Sequence, residues 1–146
     1  MERRAFIKNS CLTCASLLGI VALPAIISGC SPIPSLKTSS KNTELSVPLS
    51  SFQPGSPMLI IKDASLEFDI LLVRKADGQY NALYMQCTHE SQPLSATKTG
   101  LFCSSHGSAF DLEGNVTVQP ATKKLRKFKT EVNEQSIIIR LYSTVS

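Results

Sequence analysis

Four side chains that ligate soft metals fall within residues 87–106. They run Cys87-Thr88-His89, then thirteen residues, then Cys103-Ser104-Ser105-His106. The chain has 146 residues, and these are its only two histidines and the only cysteines beyond position 30. A disulfide scaffold spreads its cysteines through the folded part; this chain pairs each late cysteine with a histidine. Two thiolates and two imidazoles on two loops suit either tetrahedral zinc or a pair of irons bridged by sulfide. A single residue between Cys87 and His89 is tight for a zinc knuckle, where two to four normally intervene. In a binuclear centre the two neighbours bind different metals, and the short spacing carries no strain.

The sequence around the site favours strands. Apolar runs at Met58–Ile61, Glu67–Arg74 and Tyr80–Gln86 are punctuated by Asp77-Gly78, a hairpin signal. Gly100–Cys103 reads as a short strand and Glu113-Gly114-Asn115 as a tight turn. Leu125–Val132 and Ser136–Tyr142 flank Asn133-Glu134-Gln135 as a second hairpin. No segment after residue 57 keeps a helical period over three turns. The expected fold is all-β, a small sandwich or barrel of about 90 residues. A core of that size gives modest stability, and an internal metal site helps hold it.

The first thirty residues read as an export signal. Arg3-Arg4 with Phe6-Ile7-Lys8 resembles a twin-arginine leader, followed by a moderately apolar stretch. Ile27-Ser28-Gly29-Cys30 resembles a bacterial lipobox, in which Cys30 is acylated and becomes the mature N-terminus. The rival reading is an uncleaved span, but Leu12–Ile27 is short, interrupted by Pro24, and below the roughly 20 apolar residues a span needs. Cys11 and Cys14 lie inside this leader, where their C-x-x-C spacing carries no role. Residues 31–56, rich in Ser, Pro, Thr and Lys, are expected to be an extended tether, with the folded domain at 57–146. The expected location is the periplasmic side of a bacterial membrane, lipid-anchored at Cys30.

The two Cys-and-His pairs, with Gly107-Ser108, Ala109-Phe110-Asp111, Gly114, Pro120-Ala121 and Leu125, resemble the Rieske iron–sulfur proteins over residues 57–142. That resemblance implies stacked antiparallel sheets, three in the family, with cluster-binding loops at one tip. It also implies a [2Fe–2S] cluster with Cys87 and Cys103 on the inner iron and His89 and His106 on the outer one. Quinol-oxidising members of cytochrome bc complexes carry a disulfide between the loops; the matching positions here are Gln92 and Ser105. Ser108 is placed to donate to a bridging sulfide. Phe110 stands where a sulfur-bonding tyrosine often occurs, and Pro120 begins the family's proline loop. The resemblance therefore points to a ferredoxin-like carrier of single electrons between redox partner proteins. A quinol-oxidising bc-type subunit and a zinc-stabilised binding module without redox activity are the alternatives.

Other functions are excluded by what the chain lacks. An oxygenase needs a second, mononuclear iron site, and no third histidine exists to build it. No substrate site of its own is implied. A net charge of +4 is too mild for a nucleic-acid binder. Lys123, Lys124, Arg126, Lys127 and Lys129 are expected to form the solvated face of a strand, with docking to an acidic redox partner as the rival use.

Overall fold

The computed structural model describes residues 32–145. The leader, Cys30 and the two cysteines before it lie outside the described residues. The fold is all-β, with eleven strands in two sheets and a single 3-10 turn at Leu49–Ser51 among the described residues. The strands are β1 (Ser35–Thr38), β2 (Glu44–Pro48), β3 (Met58–Asp63), β4 (Ile70–Arg74), β5 (Tyr80–Tyr84) and β6 (Ser95–Ala96). They continue as β7 (Gly100–Phe102), β8 (Ala109–Asp111), β9 (Val116–Val118), β10 (Lys127–Val132) and β11 (Ser136–Val145). Seven strands form one sheet in the order β1-β3-β4-β5-β10-β11-β2, and β6-β7-β8-β9 form the other.

The described residues thus hold two hydrogen-bonded sheets where the family resemblance implied three. The reason is β10, which pairs with both β5 and β11 and so fuses two ladders into one. All pairings are antiparallel except β1 with β3, which is parallel.

The continuous apolar run Ile70-Leu71-Leu72-Val73 is buried on both faces, as such runs usually are. Period-two alternation sends Ile70 and Leu72 into one core and Leu71 and Val73 into another. Leu59 and Ile61 join the first core, as do Ala82 and Tyr84; Met58, Leu83 and Met85 join the second. β3, β4 and β5 therefore form a wall between two hydrophobic cores. The second core fills the space between this wall and the small sheet.

The tether expected at 31–56 is corrected over much of its length. β1 and β2 lie within it, at the two ends of the large sheet's strand order. Leu45 and Val47 are fully buried in the first core, and Glu44–Pro48 pairs residue by residue with β11. Arg140 of β11 bonds to both Glu44 and Glu131, tying β2 to β10 across the strand between them. Composition misled here because strand order comes from long-range pairing, while Ser, Pro, Thr and Lys dominate the local sequence.

Asp63 pins this segment down. Its carboxylate accepts the Ser40 amide at 2.5 Å and the Ser65 amide at 2.8 Å, with the Ser65 hydroxyl as a further donor. Burial alone pushes this carboxyl up, but the Ser65 and Ser40 donors outweigh it and hold it below the usual carboxylate value. A lowered folded value means the contribution is full above the unfolded pKa of about 3.9 and fades as pH falls through the folded value. Asp63→Ala is expected to cost about 1–3 kcal/mol at pH 7, since two amides lose their acceptor. Urea unfolding of both proteins checks this: the gap between them should shrink below pH 4, and a gap independent of pH would contradict it.

Candidate metal centre

The alternation that builds the second core also aims the two thiols. Leu83, Met85 and Cys87 succeed one another on one face of β5 and its extension, and all three are buried. The extension stays strand-like because Gln86 bridges to Pro93 and the Leu94 amide donates to the Met85 carbonyl at 3.0 Å. On β7, Leu101 and Cys103 likewise point inward while Phe102 between them is exposed. Past each cysteine the chain leaves the sheet, and His89 and His106 are carried to the surface.

Each loop is closed by backbone hydrogen bonds. The Cys87 amide donates to Gln92 at 2.8 Å, the Cys103 amide to Ser108 at 2.9 Å, and the Gly107 amide back to Cys103 at 3.0 Å. Gly107 has φ of +81°, a conformation that a side chain would strain. Gly100, at the entry to β7, has no room for a side chain: a Cβ there would lie 2.1 Å from the Phe110 carbonyl oxygen. This contact sets the spacing of β7 and β8, and with it the base of the second loop.

A third loop, 119–124, is bonded to both cysteine–histidine loops. Its Ala121 amide donates to the Ser108 hydroxyl at 3.0 Å, and its Lys123 carbonyl accepts from the Thr88 hydroxyl at 2.6 Å. Ser108 is fully buried, Phe110 packs in the second core, and Pro120 is exposed after a cis peptide bond. Because the Ser108 oxygen accepts from Ala121, its own proton remains free for another acceptor. Thr88 had no sequence signature, because its partner carbonyl lies 35 residues away.

The four candidate ligands differ in burial by type: both cysteines are buried and both histidines exposed. Both cysteines are free, and the Cys87 thiol is a neighbour of the Cys103 thiol. Burial pushes the Cys103 thiol up, but the Ser105 amide, the Cys87 thiol and the His106 amide together hold it below the ordinary thiol value. The rings of His89 and His106 meet edge-to-face with centroids 5.0 Å apart. Glu90, a second residue that sequence reasoning missed, places a carboxylate oxygen 3.8 Å from Nδ1 of His106. The ligand atoms of His89, Glu90 and His106 lie within 4.8 Å of one another.

The sequence profile of the Rieske [2Fe-2S] domain matches residues 50–129, more than half of the chain. The chain belongs to the Rieske [2Fe–2S] family. Its Rieske domain therefore binds a [2Fe–2S] cluster and serves electron transfer, which sets aside the zinc-stabilised module. No curated protein matches the chain by sequence. Among solved structures, the cyanobacterial plasma membrane Rieske protein PetC3 from Synechocystis PCC 6803 is 24% identical with a TM-score of 0.50, over 57% of this chain and 85% of that one. A chain from the complex of reduced oxygenase and oxidised ferredoxin in carbazole 1,9a-dioxygenase is 23% identical with a TM-score of 0.55, over 73% of this chain and 100% of that one. Naphthalene 1,2-dioxygenase is 19% identical with a TM-score of 0.55, over 67% of this chain and 26% of its own. At these identities the likeness is one of fold.

The donor set fits a two-iron cluster of the Rieske type. Two buried sulfurs suit an inner iron, and two exposed imidazole rings that meet edge-to-face suit an outer one. Of the basic residues, Lys127 pairs with Glu113 at 3.4 Å and Lys129 with Glu131 at 3.3 Å. Arg126 stacks over Phe128, its guanidinium carbon 4.7 Å from the ring centroid. Lys123 and Lys124, on the loop that holds Thr88, are exposed and form no ion pair among the described residues.

Proposed function

We propose that this Rieske domain is an exported, membrane-tethered one-electron carrier, with Cys87, Cys103, His89 and His106 as the cluster ligands. The observation that carries this reading is the pairing, on two loops, of a buried cysteine with an exposed histidine, the centroids of the two histidine rings lying 5.0 Å apart. When bound, the cluster supplies a one-electron couple, and replacing two thiolates by imidazoles raises its potential into a range of about −150 to +300 mV.

The chain's own residues divide the remaining work. The second core keeps water from Cys87 and Cys103 and favours a compact, preformed site. Loop 119–124 holds the two ligand loops together by one hydrogen bond to each, a task that a disulfide performs in the quinol-oxidising members. The Ser108 hydroxyl, whose oxygen already accepts from Ala121, would be free to donate to a cluster sulfur, while Phe110 offers no hydroxyl. One sulfur donor kept and one absent places the potential in the lower or middle part of the range. His89 and His106 form the exposed face through which a partner protein gains electronic contact. No substrate site is needed for this role.

Export and anchoring rest on the leader motifs and on Cys30 as the lipid-bearing residue, which place the domain on the periplasmic side. The name of the PetC3 relative, a plasma membrane Rieske protein, agrees with a membrane setting. No helix among the described residues is long and apolar enough to cross a membrane. Donor and acceptor are soluble or membrane-bound redox proteins.

A potentiometric titration followed by visible absorbance tests the carrier reading. The expected result is a reversible transition with a one-electron slope and a midpoint below about +150 mV, well under the upper end of the Rieske range. A midpoint near that upper end would favour quinol oxidation, and irreversible bleaching would contradict a carrier.

A further inference from the structure

The proposed anchor and the folded body are separated by far less chain than composition suggested. Ile33 packs against the core that contains Cys87 and Cys103. The Pro34 carbonyl accepts the Ile60 amide at 2.9 Å, and from Ser35 onward the chain is paired in register with β3. Ile33, the third residue after Cys30, is thus already part of the folded body. Three peptide units reach about 11 Å at full extension. A flexible tether over 31–56 would instead have had a root-mean-square span of about 28 Å.

The first folded segment is suited to a charged bilayer surface. Residues 31–43 hold Lys37 and Lys41 and no acidic residue. Both lysines are exposed, and neither has an ion pair among the described residues. β1 is the terminal strand of the sheet order, with hydrogen-bonded pairing to β3 alone, and it turns Ser35 and Lys37 outward. Anionic headgroups attract lysines held this close to the surface.

We infer that the β1 edge, with Ser35, Lys37 and Lys41, rests against anionic lipid headgroups, so that the Rieske domain is held at the membrane surface and does not swing on a tether. The inference rests on the proposed anchoring at Cys30. Because Ile33 belongs to the same core as the two thiols, a fixed β1 edge also restricts the height and orientation of the metal centre. Partners must then reach it at the membrane surface.

The chain contains no tryptophan, so a single introduced one reports its own surroundings. The full-length protein carrying Ser35→Trp, processed in cells and reconstituted into vesicles of zwitterionic and anionic phospholipid, is compared with and without headgroup-region doxyl lipid. The lipid label is expected to lower its emission at least twofold. Lys37→Trp serves as the second reporter if the first destabilises β1. Inserting a flexible spacer of about 20 residues between Ser31 and Pro32 should abolish quenching while flotation with vesicles persists. Unquenched emission from a protein that floats would overturn the inference and leave the anchor intact. Failure to float, or flotation unchanged by Cys30→Ala, would overturn the lipid anchor and the inference with it.

Discussion

Cys103→Ala should yield a folded, colourless protein, with iron and acid-labile sulfide falling from two of each per chain to nearly none. Cys103 is fully buried, and the neighbouring thiol, Cys87, is itself a candidate ligand, so no spare thiol among the described residues stands by to replace it. The surrounding core, with Leu83, Leu101 and Phe110, remains to support the small sheet. Alanine loses only the sulfur, and the far-ultraviolet circular dichroism should therefore persist. Thermal stability should fall, because binding of the metal centre to the folded state alone stabilises it. Cys11→Ala and Cys14→Ala serve as controls and should leave iron unchanged. Full iron content in the Cys103→Ala protein would remove that residue from the ligand set. Iron and sulfide analysis on the purified proteins decides the matter.

Removing residues 31–56 should be nearly as damaging, although their composition resembles a linker. Leu45 and Val47 are fully buried, and burial of each such side chain contributes about 1.5–3 kcal/mol. The deletion also strips β11 of its ladder along Ser136–Arg140 and leaves Ile137 and Ile139 on a bare edge. An exposed apolar edge invites aggregation. Against a typical stability of 5–15 kcal/mol, the truncated chain is expected to be insoluble or loosely packed. A milder form of the same test is Leu45→Ala, expected to cost about 2–5 kcal/mol. Denaturant unfolding measures it, and a midpoint equal to that of the parent would show that β2 adds nothing to the fold.

These two cases mark what could and could not be read from the sequence. β3, β4, β5, β7, β10 and β11 were legible because apolar runs and turn residues such as Asp77-Gly78 leave local signals. β1 and β2 were not, because Leu36, Leu45 and Val47 are sparse among polar residues and find their places only through β3, β11 and Asp63. β6, β8 and β9 are two or three residues long, too short to show a period. The ligand pattern was legible as spacing, and the inward aim of Cys87 follows from the alternation Leu83, Met85, Cys87. The clamp between Thr88 and the Lys123 carbonyl, and the approach of Glu90 to His106, join loops across the fold and leave no local trace.

Two imidazoles and two thiolates are proposed to hold the cluster. Pulsed electron paramagnetic resonance on the reduced protein, grown with nitrogen-15 histidine, tests this ligand set most directly. The chain has two histidines, so any coupled histidine nitrogen belongs to His89 or His106. Two strongly coupled histidine nitrogens are expected, falling to at most one in His106→Ala. A reduced cluster with no coupled histidine nitrogen would contradict it.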